Sequence, residues 1–114
     1  MRRKPGYRDL FPGALEQMIL KSLSWKPMHG CALAQQLKDI SEDLLEIEGG
    51  SLYPALPRIL QAGWLETEMG LSARNRPVRI VKVTEAGREH LEQELASVEK
   101  MFAGVTRVLA LAGQ

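Results

Sequence analysis

A chain of 114 residues, 45% hydrophobic and 25% charged, is read as one domain with a single core, which excludes a separate ligand-binding module. One cysteine, Cys31, excludes an internal disulfide; no apolar run is long enough to span a bilayer, so the chain is read as soluble and cytoplasmic. The net charge of +1 excludes little, because the charges are segregated. Arg2, Arg3, Lys4 and Arg8 crowd the start, and Arg74, Arg76, Arg79 and Lys82 follow one another without an acid. Acids gather at Glu42, Asp43, Glu46 and Glu48, and again along residues 85–99.

Residues 1–9 are expected to form a basic arm, 10–84 a folded head and 85–114 a terminal helix. Pro12-Gly13 leads into a first helix in which Leu15, Met18, Ile19, Ser22 and Leu23 recur at helical spacing, and Lys26-Pro27 ends it. The turn Pro27-Met28-His29-Gly30 precedes a second helix with Leu33, Ala34, Leu37 and Ile40 on one face. Residues 41–48 fit either a short helix or an acidic turn. Gly49-Gly50 then breaks the chain, and Ser51 is suited to cap a third helix, with Pro54 as its third residue, where its missing amide costs nothing. Gly63 is placed to close that helix in the left-handed conformation. Pro57 falls inside it, where proline removes one hydrogen bond and presses on the carbonyl of Tyr53, at roughly 3 kcal/mol unless the helix bends. A kink or an irregular first turn is expected there.

Residues 64–69 and 78–83 carry the β-branched and apolar side chains of two strands around a polar loop. Thr84 can cap the last helix, with Glu85 in its first turn. Helix, helix, helix, strand, loop, strand, helix is the order of a winged helix-turn-helix: an α+β fold, mostly helical, with a C-terminal helix left for dimerisation.

Two stretches carry the chemistry of nucleic-acid binding. At the start of the third helix, glycines such as Gly50 let a phosphate approach the backbone, and Ser51, Tyr53 and Arg58 offer side chains beside it. Gly49-Gly50 fits a simple turn equally well, and Tyr53 a half-buried core position. In the loop, Arg74 and Arg76 with flanking Arg79 suit phosphate or a narrow minor groove. A charged hairpin tip alone is more often a solvated loop, and it is the position in the element order that makes this one a wing. On the last helix, Leu91, Leu95, Val98, Phe102, Val105 and Leu109 alternate by four and three residues, a seam expected to pack on its own head first and on a second protomer further along.

Leu15-Glu16, Pro27-Met28-His29-Gly30, Gly50-Ser51-Leu52-Tyr53-Pro54-Ala55-Leu56, Gly63-Trp64-Leu65 and Thr84-Glu85-Ala86-Gly87-Arg88 together resemble the PadR family of transcription regulators, over residues 10–109. The length resembles the short form with a single C-terminal dimerisation helix. The resemblance implies a homodimer that binds double-stranded DNA at a palindromic operator, usually represses, and in many members is released by a small-molecule effector. It implies Ser51, Tyr53 and Arg58 facing DNA from the third helix, and Arg74 and Arg76 from the wing. The chain departs from the family's pattern at Cys31 and Val81, where tyrosine is common, and at Pro57, usually polar. Some relatives sandwich flat ligands between tryptophans on the last helix, whereas Trp25 and Trp64 both lie outside it.

An enzyme is not expected. His29 and His90 are distant in sequence with no nucleophile–base grouping, and no metal-ligand spacing exists, so neither cofactor nor metal is called for. His29 is read as supporting the turn and His90 as part of a solvated helix face. Cys31, in the first turn of a helix, is a candidate redox sensor, although a small packed residue is the plainer reading. The rival function is a winged-helix module that binds protein instead of DNA, suggested by the near-neutral charge and by Pro57.

Overall fold

Residues 13–41 and 49–112 are described by the computed structural model, and they hold the expected elements in the expected order. These are α1 (Ala14–Trp25), α2 (Gly30–Ile40), α3 (Gly49–Gln61), β1 (Leu65–Leu71), β2 (Pro77–Val83) and α4 (Glu85–Ala112). The basic arm at 1–9, Pro12 and the acidic residues of 42–48 lie outside the described residues.

One buried cluster unites every element: Ile19, Leu20 and Leu23 from α1, Leu33 and Leu37 from α2, Leu52, Ala55 and Ile59 from α3, Leu65, Val81 and Val83 from the sheet, and Leu91 from α4. The inner face of α1 is turned from the expected stripe. Gln17 and Leu20 are buried, while Leu15 and Met18 are only partly so, because α4 as well as the core packs on this helix. Ile40, expected inside, is 52% exposed, since α2 runs one turn beyond its last core residue, Leu37.

The helix α3 begins at Gly49, so Ser51 lies within it rather than capping it, and Pro54 is interior as well as Pro57. Pro57 does not end the helix. Leu52, Ala55 and Ile59 are buried, whereas Tyr53, Pro54, Pro57 and Arg58 are not, so both prolines stand on the outer face. There water can replace the amides they lack. Gly63 closes α3 as expected, at φ 85°: its amide donates to Leu60 O at 3.0 Å and that of Trp64 to Ile59 O at 3.3 Å.

The strands pair antiparallel from Leu65↔Val83 to Leu71↔Pro77, which puts Leu65, Thr67, Met69 and Leu71 on one face with Val83, Val81, Arg79 and Pro77. The base of that face is core; its outer end, with Met69 and Leu71 exposed, projects past the head. On the other face Lys82 sits 3.6 Å from Glu66 and 3.5 Å from Glu68, so it belongs to a mixed-charge ladder and not to the basic stretch. A third edge comes from the α1–α2 turn: Met28 and Val81 exchange backbone hydrogen bonds of 3.1 and 2.9 Å.

Thr84 forms the joint between head and α4. Its amide donates to Trp64 O at 3.0 Å and its hydroxyl to Gly63 O at 2.6 Å, while Oγ1 accepts the Gly87 amide at 3.0 Å, the expected cap. The helix lies so close that a Cβ on Gly87 would run into the Trp64 carbonyl oxygen and come within 2.8 Å of Val83 Cγ2. The same approach buries much of His90, which was expected on a solvated face. Its ring stacks on Trp64 at 3.6 Å and 10°, and Nε2 stands 3.1 Å from Glu16 Oε1. The 28 residues of α4 then run on for about 42 Å at 1.5 Å per residue. No described helix is long and apolar enough to cross a membrane.

Gly87→Ala should therefore destabilise the chain by about 1–3 kcal/mol, an overpacking cost against rigid backbone. Urea denaturation checks this, and an unchanged midpoint would show that α4 can lift from Trp64 freely.

Candidate nucleic-acid interface

Burial of Leu52, Ala55 and Ile59 turns the opposite side of α3 to solvent, and with it Tyr53 and Arg58. Tyr53 is 44% exposed, so it is not the half-buried core residue that its sequence also allowed. Gly50 and Ser51 lie in the first turn of the same helix, their side chains outside the described ones. Tyr53 is held from beneath by α2. Its Oη lies 3.2 Å from Cys31 Sγ, and a Cβ built on Gly30 would stand 3.0 Å from its Cε1. Cys31 is thus exposed rather than packed away. The hydrogen bond to Cys31, helped by slight burial, pushes the Tyr53 phenol above the ordinary tyrosine range.

The hairpin carries Arg74 and Arg76 on its tip, both exposed, and Arg79 on its shaft opposite Met69. Ser72, not anticipated from sequence, organises the tip. Its Oγ accepts the amides of Arg74 at 3.3 Å and Arg76 at 3.2 Å, its amide donates to Arg76 O at 2.8 Å, and its carbonyl accepts the Asn75 amide at 2.8 Å. Asn75 takes the left-handed conformation, φ 62°, which closes the loop. A serine at the loop's start with asparagine three residues on is a turn signal that could have been read. Among the described residues, none of Arg58, Arg74, Arg76 and Arg79 is paired with an acid. Four cations on α3 and the hairpin are therefore free to meet phosphate, whereas Lys82 is not.

The seam residues divide along α4. Leu91 is in the core, and Leu95 and Val98 are half-buried against the head. Further on Phe102, Val105 and Leu109 are exposed, joined by Val108 and Leu111 at 64% and 67%. Beside the half-buried part lies an apolar groove of about 450 Å³, bounded by Met18, Trp25, Leu37, Ile40, Leu95 and Val98. Among the described residues no cluster of histidine, cysteine and carboxylate side chains could hold a metal ion.

Residues 19–93 match the model of the transcriptional regulator PadR-like family. A crystal structure of a PadR-like transcriptional regulator from Bacillus cereus superposes with a TM-score of 0.75 at 26% identity, over 85% of this chain and 92% of that one. A PadR-like transcription factor from Bacteroides fragilis gives 0.69 at 28% identity, over 84% and 90%. A PadR family regulator from Eggerthella lenta gives 0.73 at 28%, over 85% and 82%. No curated protein sequence matches the chain.

The conformation of Asn75 makes a prediction about the tip. Asn75→Val should cost about 1–2 kcal/mol, the penalty of a left-handed β-branched residue, whereas Asn75→Gly should be neutral. Denaturation of both variants, with amide exchange at Arg76, checks the contrast.

Proposed function

Because the chain belongs to the PadR-like family of transcriptional regulators, we propose that it works as a homodimer, repressing from a palindromic operator. In this reading α3 enters the major groove, the hairpin is the wing on the flanking backbone, and α4 forms the dimer seam. The observation that carries it is the outward set of cations with no acidic partner among the described residues, Arg58 on α3 and Arg74, Arg76 and Arg79 on the hairpin, on the elements that a winged helix lays on DNA. The net charge of +1 is no obstacle, because charge is segregated on the hairpin: Glu66 and Glu68 share Lys82 on its shaft, while Arg74 and Arg76 stand at its tip.

Dimerisation is supported by the outer half of α4. A run of exposed Val105, Val108, Leu109 and Leu111 on one helix is more apolar surface than a monomer ordinarily leaves to water. A two-fold axis would pair this stripe with its copy and with the groove beside α1. A groove of about 450 Å³ roofed in that way would also be of a size for a small apolar effector.

Replacing Arg74 and Arg76 by alanine should weaken specific binding to the operator, and should flatten the log–log salt dependence by about 0.9 for each phosphate no longer neutralised. Mobility shift across a salt series reads both. An unaltered slope would remove the wing from the interface, and no shift by the unaltered chain at low salt would favour a protein-binding winged helix. Val105→Glu with Leu109→Glu alters only surface already exposed in the single chain, so the head should stay folded while the dimer is lost. Sedimentation with circular dichroism checks it, and a surviving dimer would contradict the seam.

A further inference from the structure

At the start of α2, Gly30 and Cys31 each approach Tyr53 of the recognition helix, through two unusual contacts. The Cys31 sulfur and the Tyr53 phenol oxygen lie 3.2 Å apart, 22 residues apart in sequence. The phenol ring rests against the backbone of Gly30, where even a methyl group would stand 3.0 Å from Cε1 and 3.5 Å from Cδ1. An exposed tyrosine on a helix ordinarily moves among several rotamers. This one is held flat at its ring and tethered at its oxygen.

We infer that Cys31 is a positioning residue for DNA binding, fixing the phenol of Tyr53 over the Gly30 backbone in the orientation in which it meets the nucleic acid. The inference rests on the reading that places α3 on DNA. A thiol is both a weak donor and a weak acceptor, so the pair can rearrange. In the free protein either atom can donate, and with the phenol as donor the bond favours its protonated form, the direction in which Cys31 pushes its ionisation. When a phosphate oxygen arrives, the thiol turns to donate to the phenol oxygen and the phenol donates to the phosphate. A chain of hydrogen bonds forms with no group left unmet and no covalent change. Pre-ordering the ring also removes part of the side-chain entropy otherwise lost on binding.

The roles of the thiol distinguish substitutions of nearly equal size. Cys31→Ser keeps a donor and an acceptor, whereas Cys31→Ala keeps neither and suits a helix, so folding is not at risk. With the operator recovered by selection, Cys31→Ala should weaken specific binding about three- to tenfold, the worth of one hydrogen bond, and Cys31→Ser should restore most of it. In a Tyr53→Phe background Cys31→Ala should cost nothing further, since the thiol acts only through the phenol. The phenol itself gives a readout without DNA. In Cys31→Ala the Tyr53 Cζ resonance should titrate at lower pH than in the unaltered chain, with Tyr7→Phe identifying the other tyrosine. An unmoved titration, or an equal loss of affinity with and without the Tyr53 hydroxyl, overturns the proposal while leaving DNA binding intact. Failure of the unaltered chain to bind any selected DNA overturns the DNA reading first, and this inference with it.

Discussion

The structure depends on the close approach of the first turn of α4 to the Trp64 carbonyl. At that point the end of α3, the base of the hairpin and the start of α4 converge on Thr84, whose hydroxyl donates to Gly63 O and accepts from Gly87 N. A side chain at Gly87 would force them apart. Around this contact His90 stacks on Trp64 and reaches Glu16, so α1 is drawn into the same joint. The direction in which α4 leaves the head is thereby set by packing and not by a hinge. In a dimer built on α4, this joint fixes how far apart two recognition helices stand.

The helix α3 is built on a different balance. Two interior prolines deprive it of backbone hydrogen bonds, each at a cost of roughly 3 kcal/mol in an ordinary helix interior. Against this, Leu52 and Ile59 are fully buried, each contributing about 1.5–3 kcal/mol, and Ala55 adds to the same face. The inner face and the Gly63 closure hold the helix, and the prolines are confined to the outer side, where water can serve the carbonyls left without an amide. Tertiary packing of the inner face is thus of the same order as what the prolines remove from the backbone ladder of α3. Its outer surface is shaped by Tyr53 and Arg58 on a scaffold anchored from behind.

Much of the fold was legible because its signals are local. Gly63 as a helix closure, Thr84 as a cap and Pro27 as a stop each act within a few residues, so the element order could be read directly. The inward packing of Leu91 at the start of α4 was legible too, from its place in the helical period. What escaped was set by neighbours distant in sequence. The face of α1 turned because α4 packs on it, His90 was buried by Trp64, and Lys82 was claimed by acids on the adjacent strand. The Met28–Val81 bridge is one residue long and leaves no periodic trace. At the candidate site, Arg74 and Arg76 could be placed on a tip from turn chemistry. The approach of Cys31 to Tyr53 could not, because it depends on how α2 crosses α3.

Selection of bound fragments from the source genome tests the central claim most directly, that two heads are held at a set distance by α4. The account predicts an inverted repeat whose half-sites are centred about 10 base pairs apart, or a multiple of one helical turn, matching recognition helices about 34 Å apart or a multiple of that. An enriched motif without dyad symmetry, or half-sites at freely varying spacing, would contradict it.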